Sequence, residues 1–445
     1  MHIKFEKSLQ KEFFFKIFWW LLWVSAIVLL EFYYRSQSGE RLKISFGQYW
    51  FFFIAVFSII GIWFAFKEIL LEKFKSIRIF FYSLCVLLLI LGLSAVFGIN
   101  SAYGLRLLVI LMMTSAPFML LGMLAHSVPY QSRIIPLLAV SVCCAFGAVL
   151  LTLTGPVSWF GYTLENYLMG QRWAFLFIEA NGLGGMMALA VTCIFFQIHV
   201  TSTKTTQWIL LVCILPVILL VFWKTNSRGS LLWILVTLFF YCGLWLRNLV
   251  HQFTSLHARQ YFLPGLGVVI GLIVLFAIIY RYELSTFLRL DQRDLTTGRM
   301  EIWLYYLEQV KNNPLFGFGF GASDQLMSGY TVKGKYNIAG PLNVFVGVLG
   351  ETGVLGFLAM LWLWFVAILK AWQIVKTKIN SQDGFFHYAF FLMVVLISLA
   401  AHQNGEWQIL RITPFNFLFF FLLASAWTMP KTAELSTSEY QEISS

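Results

Sequence analysis

Charge is what this sequence has least of. Only 11% of its 445 residues are Asp, Glu, Lys or Arg, against about a quarter in ordinary soluble domains, so a string of soluble domains is excluded despite a length that would allow it. Acidic residues are the scarcer sign, 20 against 31 basic ones, for a net charge of +11. That excess never gathers into a Lys/Arg block that could build a nucleic-acid face. Cysteine is sparse as well. Cys85, Cys143, Cys144, Cys193, Cys213 and Cys242 all sit in apolar stretches, with no CxxC pair and no His at metal spacing, which argues against a disulfide framework and a zinc site. No acidic cluster has the spacing of a hard-cation site, so no metal or other cofactor is expected. No internal repeat of about 20 to 50 residues is present.

What the chain has in quantity is apolar: 60% of residues are hydrophobic and 18% aromatic. A bilayer core of about 30 Å takes roughly 20 apolar residues per helix. Runs of that length bounded by charge, Pro or Gly lie near 13–34, 44–66, 79–98, 107–126, 134–155, 177–200, 207–223, 229–246, 261–280, 343–372, 385–402 and 410–428. The fold class is therefore all-α: a polytopic integral membrane protein with about twelve transmembrane helices. An even number places both termini on one side. Basic residues such as Lys4, Lys7, Lys11, Lys67, Lys73, Lys75, Arg78, Lys376 and Lys378 outnumber those of the short loops opposite, which predicts cytoplasmic termini, although Arg35, Arg41 and Lys43 run against the bias. The first span is long and aromatic and ends at Glu31 with no small-x-small site, so it is expected to be a membrane helix and not a cleaved leader.

This reading divides the chain into N-terminal helices over 1–171, further helices over 172–280, one long loop over 281–342 on the non-cytoplasmic side, closing helices over 343–430, and a polar tail over 431–445 expected to be disordered. The long loop holds Arg281, Arg289, Arg293, Arg299, Lys311, Lys333 and Lys335. Loops carried by a rigid scaffold are where chemistry commonly resides.

Three segments on that side put unusual groups at a membrane boundary. In Lys224-Thr225-Asn226-Ser227-Arg228-Gly229-Ser230, Arg228 would open a helix whose free N–H groups and dipole favour an anion, and guanidinium adds bidentate phosphate recognition. An interfacial Arg reaching for head groups is the plainer reading. Thr296-Thr297-Gly298-Arg299 through Asn312-Asn313-Pro314 reads as a capped helix stopped by proline, with Arg299, Trp303 and Tyr306 recurring at i, i+4, i+7 as an interfacial face. The glycines of Phe316-Gly317-Phe318-Gly319-Phe320-Gly321 let the backbone approach a ligand or form an anion nest, or simply make a turn. In the third segment, Asn343 to Gly356, Glu351 lies within an apolar run, a costly placement that points to a cavity or a partner. Glu179 beside Asn181 and Gly182, and His402 before Gln403 and Glu406, invite the same question; each could equally be a structural pairing.

Taken in order, these segments resemble the O-antigen ligase and polymerase superfamily of bacterial envelope glycan enzymes. Ser227-Arg228-Gly229-Ser230, Gly298-Arg299 with Trp303, Asn313-Pro314-Leu315-Phe316-Gly317-Phe318-Gly319, and the block Asn343, Glu351, Thr352, Gly353, Gly356 carry the likeness, which spans about Arg172 to Arg411; Glu179 to Gly182 add to it weakly. The resemblance implies a GT-C-like membrane enzyme that moves a glycan from undecaprenyl pyrophosphate to a saccharide or lipid A-core acceptor among membrane lipids, at the periplasmic face of the bacterial inner membrane. It implies that Arg228 and Arg299 hold the diphosphate, helped by Arg172 and Arg293, with Trp303, Gly317, Gly319 and Asn343 at the substrate. The chain departs from the family at one point: ligases carry a His-Asn pair where this sequence has Leu342-Asn343. Leucine cannot act as a base, which leaves Glu351, His402 or Glu406 to replace it, or a polymerase-like branch that does without. A transporter or lipid-glycan flippase is the competing class, although transporters tend to show two related halves and these halves are unlike.

Overall fold

The computed structural model of the protein describes residues 2–28, 46–154, 157–159, 162–164, 173, 180–201, 203–252, 299–323, 331–332, 336–337, 343–381, 383–403 and 413–429. Among them run helices α1 (His2–Val28), α2 (Phe46–Ser76), α3 (Arg78–Phe97), α4 (Ser101–Leu124), α5 (Tyr130–Thr154), α6 (Ala180–Val200), α7 (Lys204–Thr225), α8 (Arg228–Gln252), α9 (Arg299–Asn312), α10 (Val344–Lys378), α11 (Gly384–Gln403) and α12 (Pro414–Trp427). Two antiparallel hairpins, Val157–Trp159 with Tyr162–Leu164 and Thr331–Val332 with Tyr336–Asn337, are the strands of the described residues. The protein is an all-α polytopic membrane protein: nine of the described helices are long and apolar enough to cross a bilayer. Every predicted span has its helix except 261–280, which lies outside the described residues, as does most of the 281–342 loop and the 431–445 tail.

The boundaries follow local chemistry. Asn100 opens α4 by accepting the N–H of Tyr103 at 3.0 Å, and Thr413 opens α12 ahead of Pro414, a residue suited to a first helical position. At the end of α7, Asn226 takes a left-handed conformation with φ 48°, a geometry that short amide side chains tolerate, and the chain restarts at Arg228 as α8. Within α7, residues Ile209–Ile214 widen to a π-helical turn ahead of Pro216.

Helix α12 is the axis of the bundle. Phe415 and Phe417 through Met429 are all buried, and aromatic stacking ties them to α1 and α4: Trp19 on Phe421 at 4.3 Å and Phe118 on Phe417 at 4.8 Å between ring centroids. Peripheral helices instead turn Phe53, Phe57 and Phe64 outward, as expected where the solvent is lipid.

One expectation is overturned. Residues 343–372 read as a single span, but α10 is broken at Gly353, whose φ of 64° and ψ of −168° are not helical. Phe345 stacks on Trp364 with centroids 5.9 Å apart. In an uninterrupted helix those positions would be separated by about 28 Å. The short arm before Gly353 therefore folds back along the long arm after it.

Candidate functional site

Two assemblies of candidate residues emerge. The first surrounds the start of α8. Ser227 and Ser230 meet through their hydroxyls at 2.7 Å, and the N–H of Leu231 donates to the Ser227 carbonyl at 3.1 Å, fixing Arg228 in the first turn, half-buried. This turn fits because α6 offers glycine: a Cβ on Gly184 would stand 2.7 Å from both Ser227 Cβ and Ser230 Oγ. Next to it, Gly185 leaves room for the His402 ring, whose Nε2 would lie 2.9 Å from an added Cβ, and Gly229 packs on the His402 carbonyl at 3.0 Å from the corresponding position. His402 is fully buried, stacked on Phe415 at 5.3 Å and edge-on to Trp233 at 5.7 Å, with Gln403 Nε2 3.3 Å from its Nδ1. The structure thus brings His402, distant in sequence, to the same helix start as Arg228.

The second assembly is built around the break in α10. The helix interruption releases the carbonyls of Gly350 and Glu351, and the glycine turn after α9 supplies donors for them: Phe318 N–H to Gly350 O at 3.0 Å and Gly319 N–H to Glu351 O at 3.1 Å. In the other direction Val354 N–H donates to Pro314 O at 2.9 Å. Gly317, Gly319, Gly321 and Gly353 all have positive φ, so only glycine adopts these conformations without strain. Gly319 also packs face to face with Gly98 at the end of α3, where a Cβ on Gly319 would sit 2.5 Å from the Gly98 Cα. With Gly317 N–H on Asn313 O at 2.8 Å and Phe320 N–H on Ser94 Oγ at 2.9 Å, every amide from Gly317 to Phe320 is bonded within the protein.

Glu351 belongs to this joint. It is buried, its carboxylate accepts the Ser323 N–H at 3.1 Å, and its carbonyl accepts the Ser94 hydroxyl at 2.6 Å. Asn343 is the N-cap of α10, its side-chain oxygen accepting from Phe345 N–H at 2.9 Å and Val346 N–H at 3.2 Å. Arg299 and Trp303 are half-buried on α9. Tyr306 departs from the predicted shared face: it turns inward with Ile302 and Val310, meeting Phe318 at 5.4 Å between centroids. The reason is packing against the broken helix, since a Cβ on Gly350 would stand 2.6 Å from the Tyr306 ring.

One scaffold carries both assemblies. Trp364 of α10 donates to Leu396 O of α11 at 3.1 Å, and Ser398 of α11 donates to Trp233 O of α8 at 3.5 Å. Arg172, Arg293, Glu179, Leu342 and Glu406 lie outside the described residues. The residues that sequence reasoning missed are Ser94, Gly98 and Ser323, which meet the joint only through the tertiary fold.

The helix start at Arg228, the α9 helix, the glycine turn and the α10 break occupy one continuous stretch of the chain, and residues 211–361 match the O-antigen ligase family model. The matched stretch contains Arg228, Arg293, Arg299, Trp303, Gly317, Gly319, Asn343 and Glu351 but neither Arg172 nor His402. The match to this stretch supports an O-antigen ligase-like function in polysaccharide biosynthesis, with a lipid-linked glycan and an acceptor as substrates in general terms. No curated protein matches the chain.

Proposed function

We propose that this membrane protein transfers a glycan from undecaprenyl pyrophosphate to a saccharide acceptor, either a lipid A-core or a growing polysaccharide, at the periplasmic face of the bacterial inner membrane, with both termini in the cytoplasm. The observation that carries the reading is Arg228 in the first turn of a membrane helix, inside the stretch that matches the ligase family. There the helix dipole and a guanidinium both favour a diphosphate.

In this reaction an acceptor hydroxyl oxygen bonds to the anomeric carbon while the bond from that carbon to the pyrophosphate oxygen breaks. The electron pair leaves with undecaprenyl pyrophosphate, and the hydroxyl proton passes to a base or to water. Arg228 and Arg299 take up the charge that develops on the leaving group, with Arg172 and Arg293 assisting, and Trp303 lies beside Arg299's turn to meet the sugar. Donors aimed at developing charge are commonly worth several kcal/mol. Base assistance is worth a comparable amount, about 10² to 10⁴ in rate, but pyrophosphate is already a good leaving group, so replacement of the family His by Leu342 slows the reaction without abolishing it. Of the groups able to take the proton, His402 is favoured over Glu351: it packs against Gly229, whereas the Glu351 carboxylate is held by Ser323. Gly317, Gly319 and Asn343 act by shaping the site, because their polar groups are committed to the turn and the helix cap.

The test is reconstitution of the purified protein in nanodiscs with undecaprenyl-pyrophosphate-linked oligosaccharide and candidate acceptors, following glycan length and free undecaprenyl pyrophosphate. Longer lipid-linked glycans indicate polymerisation, and transfer to lipid A-core indicates ligation. Passage of the lipid-linked glycan across the bilayer with no glycosidic bond exchanged would overturn the reading.

A further inference from the structure

At the end of the bundle opposite His402, a second cationic site is built around Arg133. The two ends are distinguished by α8 and α11: Arg247, late in α8, donates to Ile379 O at 2.9 Å beside the start of α11, while His402 closes α11 at the first turn of α8. Arg133 stands in the first turn of α5 and is 2% exposed. Its guanidinium is sandwiched between the rings of Tyr130 and Tyr388, at 4.7 and 4.2 Å from their centroids. Nη2 donates to the carbonyl of Val128, and the Tyr388 hydroxyl is a further side-chain partner of the guanidinium, yet Nε and Nη1 are buried with no acceptor.

No carboxylate among the described residues pairs with it. Glu12 is taken by Lys16 at 2.6 Å and by the hydroxyl of Ser132 at 2.8 Å. Asp383 caps α11 through the Phe386 N–H at 2.7 Å and faces Lys378 at 3.6 Å. A buried cation with open donors costs several kcal/mol, and intramembrane charges are nearly always paired. A further orphan flanks the same Tyr388 ring: His126, 5.9 Å away, places Nε2 on Ser425 O at 2.8 Å and leaves a buried Nδ1 with no partner. An anion would satisfy the guanidinium, and a hydroxyl on the same molecule would satisfy an imidazole acceptor.

We infer that Arg133 is the anchor of a structural lipid site, holding the phosphate of an anionic phospholipid whose head group carries a hydroxyl. The face of the site is closed by Tyr130, which is only half-buried and rests on Gly384, where a Cβ would stand 2.5 Å from its ring. A head group enters by displacing this one ring, while Tyr388 is buried and stays as the floor. The position, at the first turn of a membrane helix between two tyrosines, is the interfacial depth at which phosphates lie. This site is independent of the proposed transfer chemistry.

Native mass spectrometry on the full-length protein tests the assignment. After delipidation, the wild type, Arg133→Gln and Arg133→Lys are each offered phosphatidylglycerol, diacylglycerol of the same chains, or inorganic phosphate. The wild type is expected to retain one phosphatidylglycerol in preference to diacylglycerol, with Arg133→Gln weaker by about tenfold or more and Arg133→Lys intermediate, in keeping with the loss of a bidentate charged contact. Should Arg133→Gln fail to fold, the preference of the wild type for phosphatidylglycerol over diacylglycerol still decides. Equal retention of the two lipids, equal retention by wild type and Arg133→Lys and Arg133→Gln, or capture of inorganic phosphate without lipid preference would each overturn the proposal.

Discussion

The hydroxyl of Ser94 donates to the carbonyl of Glu351 at 2.6 Å and accepts the N–H of Phe320 at 2.9 Å. One small side chain on α3 thereby satisfies both partners of a contact between the broken helix α10 and the glycine turn. Alanine at this position strands the buried Phe320 amide, at a cost of about 1 to 3 kcal/mol when left unmet, and leaves the Glu351 carbonyl with the Gly319 N–H at 3.1 Å. Ser94→Ala is expected to lower the thermal midpoint of the detergent-solubilised protein, read by fluorescence-detected size exclusion after heating. An unchanged midpoint would mean that the joint does not depend on this bond.

Glycine substitutions separate strain from mere loss of a small residue. Gly319 combines φ 117° with a backbone neighbour at Gly98, and Gly353 combines φ 64° with the Leu315 carbonyl. Alanine at either should cost at least about 1 to 3 kcal/mol through backbone conformation alone. Gly243, in the middle of α8 with nothing near its would-be Cβ, is the control: Gly243→Ala should be neutral or stabilising by up to about 1 kcal/mol. The same heating assay ranks the three, and equal behaviour of Gly319→Ala and Gly243→Ala would contradict the structure.

How far the fold could be read from sequence differs by element. Apolar length alone located the spans that fall among the described residues, because the bilayer requires backbone bonds to close within each helix, and the helix start at Arg228 was legible from the polar run Lys224 to Gly229. The fold-back of α10 was not. Gly350-Glu351-Thr352-Gly353 interrupts an otherwise continuous apolar run, and hydropathy averages over such a short break; the flanking glycines around a charged residue were the only local signal. The importance of Glu351 was visible from its cost in a membrane, but its partners Ser94 and Ser323 are set by tertiary packing, which no spacing within the chain encodes. His402 was likewise flagged for its place in an apolar helix, while its seat against Gly185 and Gly229 required the packed bundle.

Asn343 offers a test of capping against substrate contact. If its role is to accept the Phe345 and Val346 amides, Asn343→Ser, which also caps, should keep stability and most activity, while Asn343→Ala loses about 1 kcal/mol. Thermal midpoints and transfer rates measured on both variants decide it. Full stability with abolished transfer in Asn343→Ser would instead place this side chain on the substrate.

Glu351→Gln keeps a side-chain oxygen for the Ser323 N–H and removes only the ability to take a proton. The variant is expected to transfer glycan at close to the wild-type rate in the reconstituted assay. A loss of about 10² or more, the scale of general-base catalysis, would make Glu351 the base and displace His402 from that role.

The central claim is that Arg228 and Arg299 stabilise the departing lipid diphosphate. It is tested most directly by the rate at which free undecaprenyl pyrophosphate appears in nanodiscs holding wild type, Arg228→Ala or Arg299→Ala with identical donor and acceptor. Each variant should insert and fold like the wild type yet release the product at least about 10² to 10³ times more slowly, as for removal of one donor aimed at developing charge. Wild-type release rates in both folded variants would contradict the account.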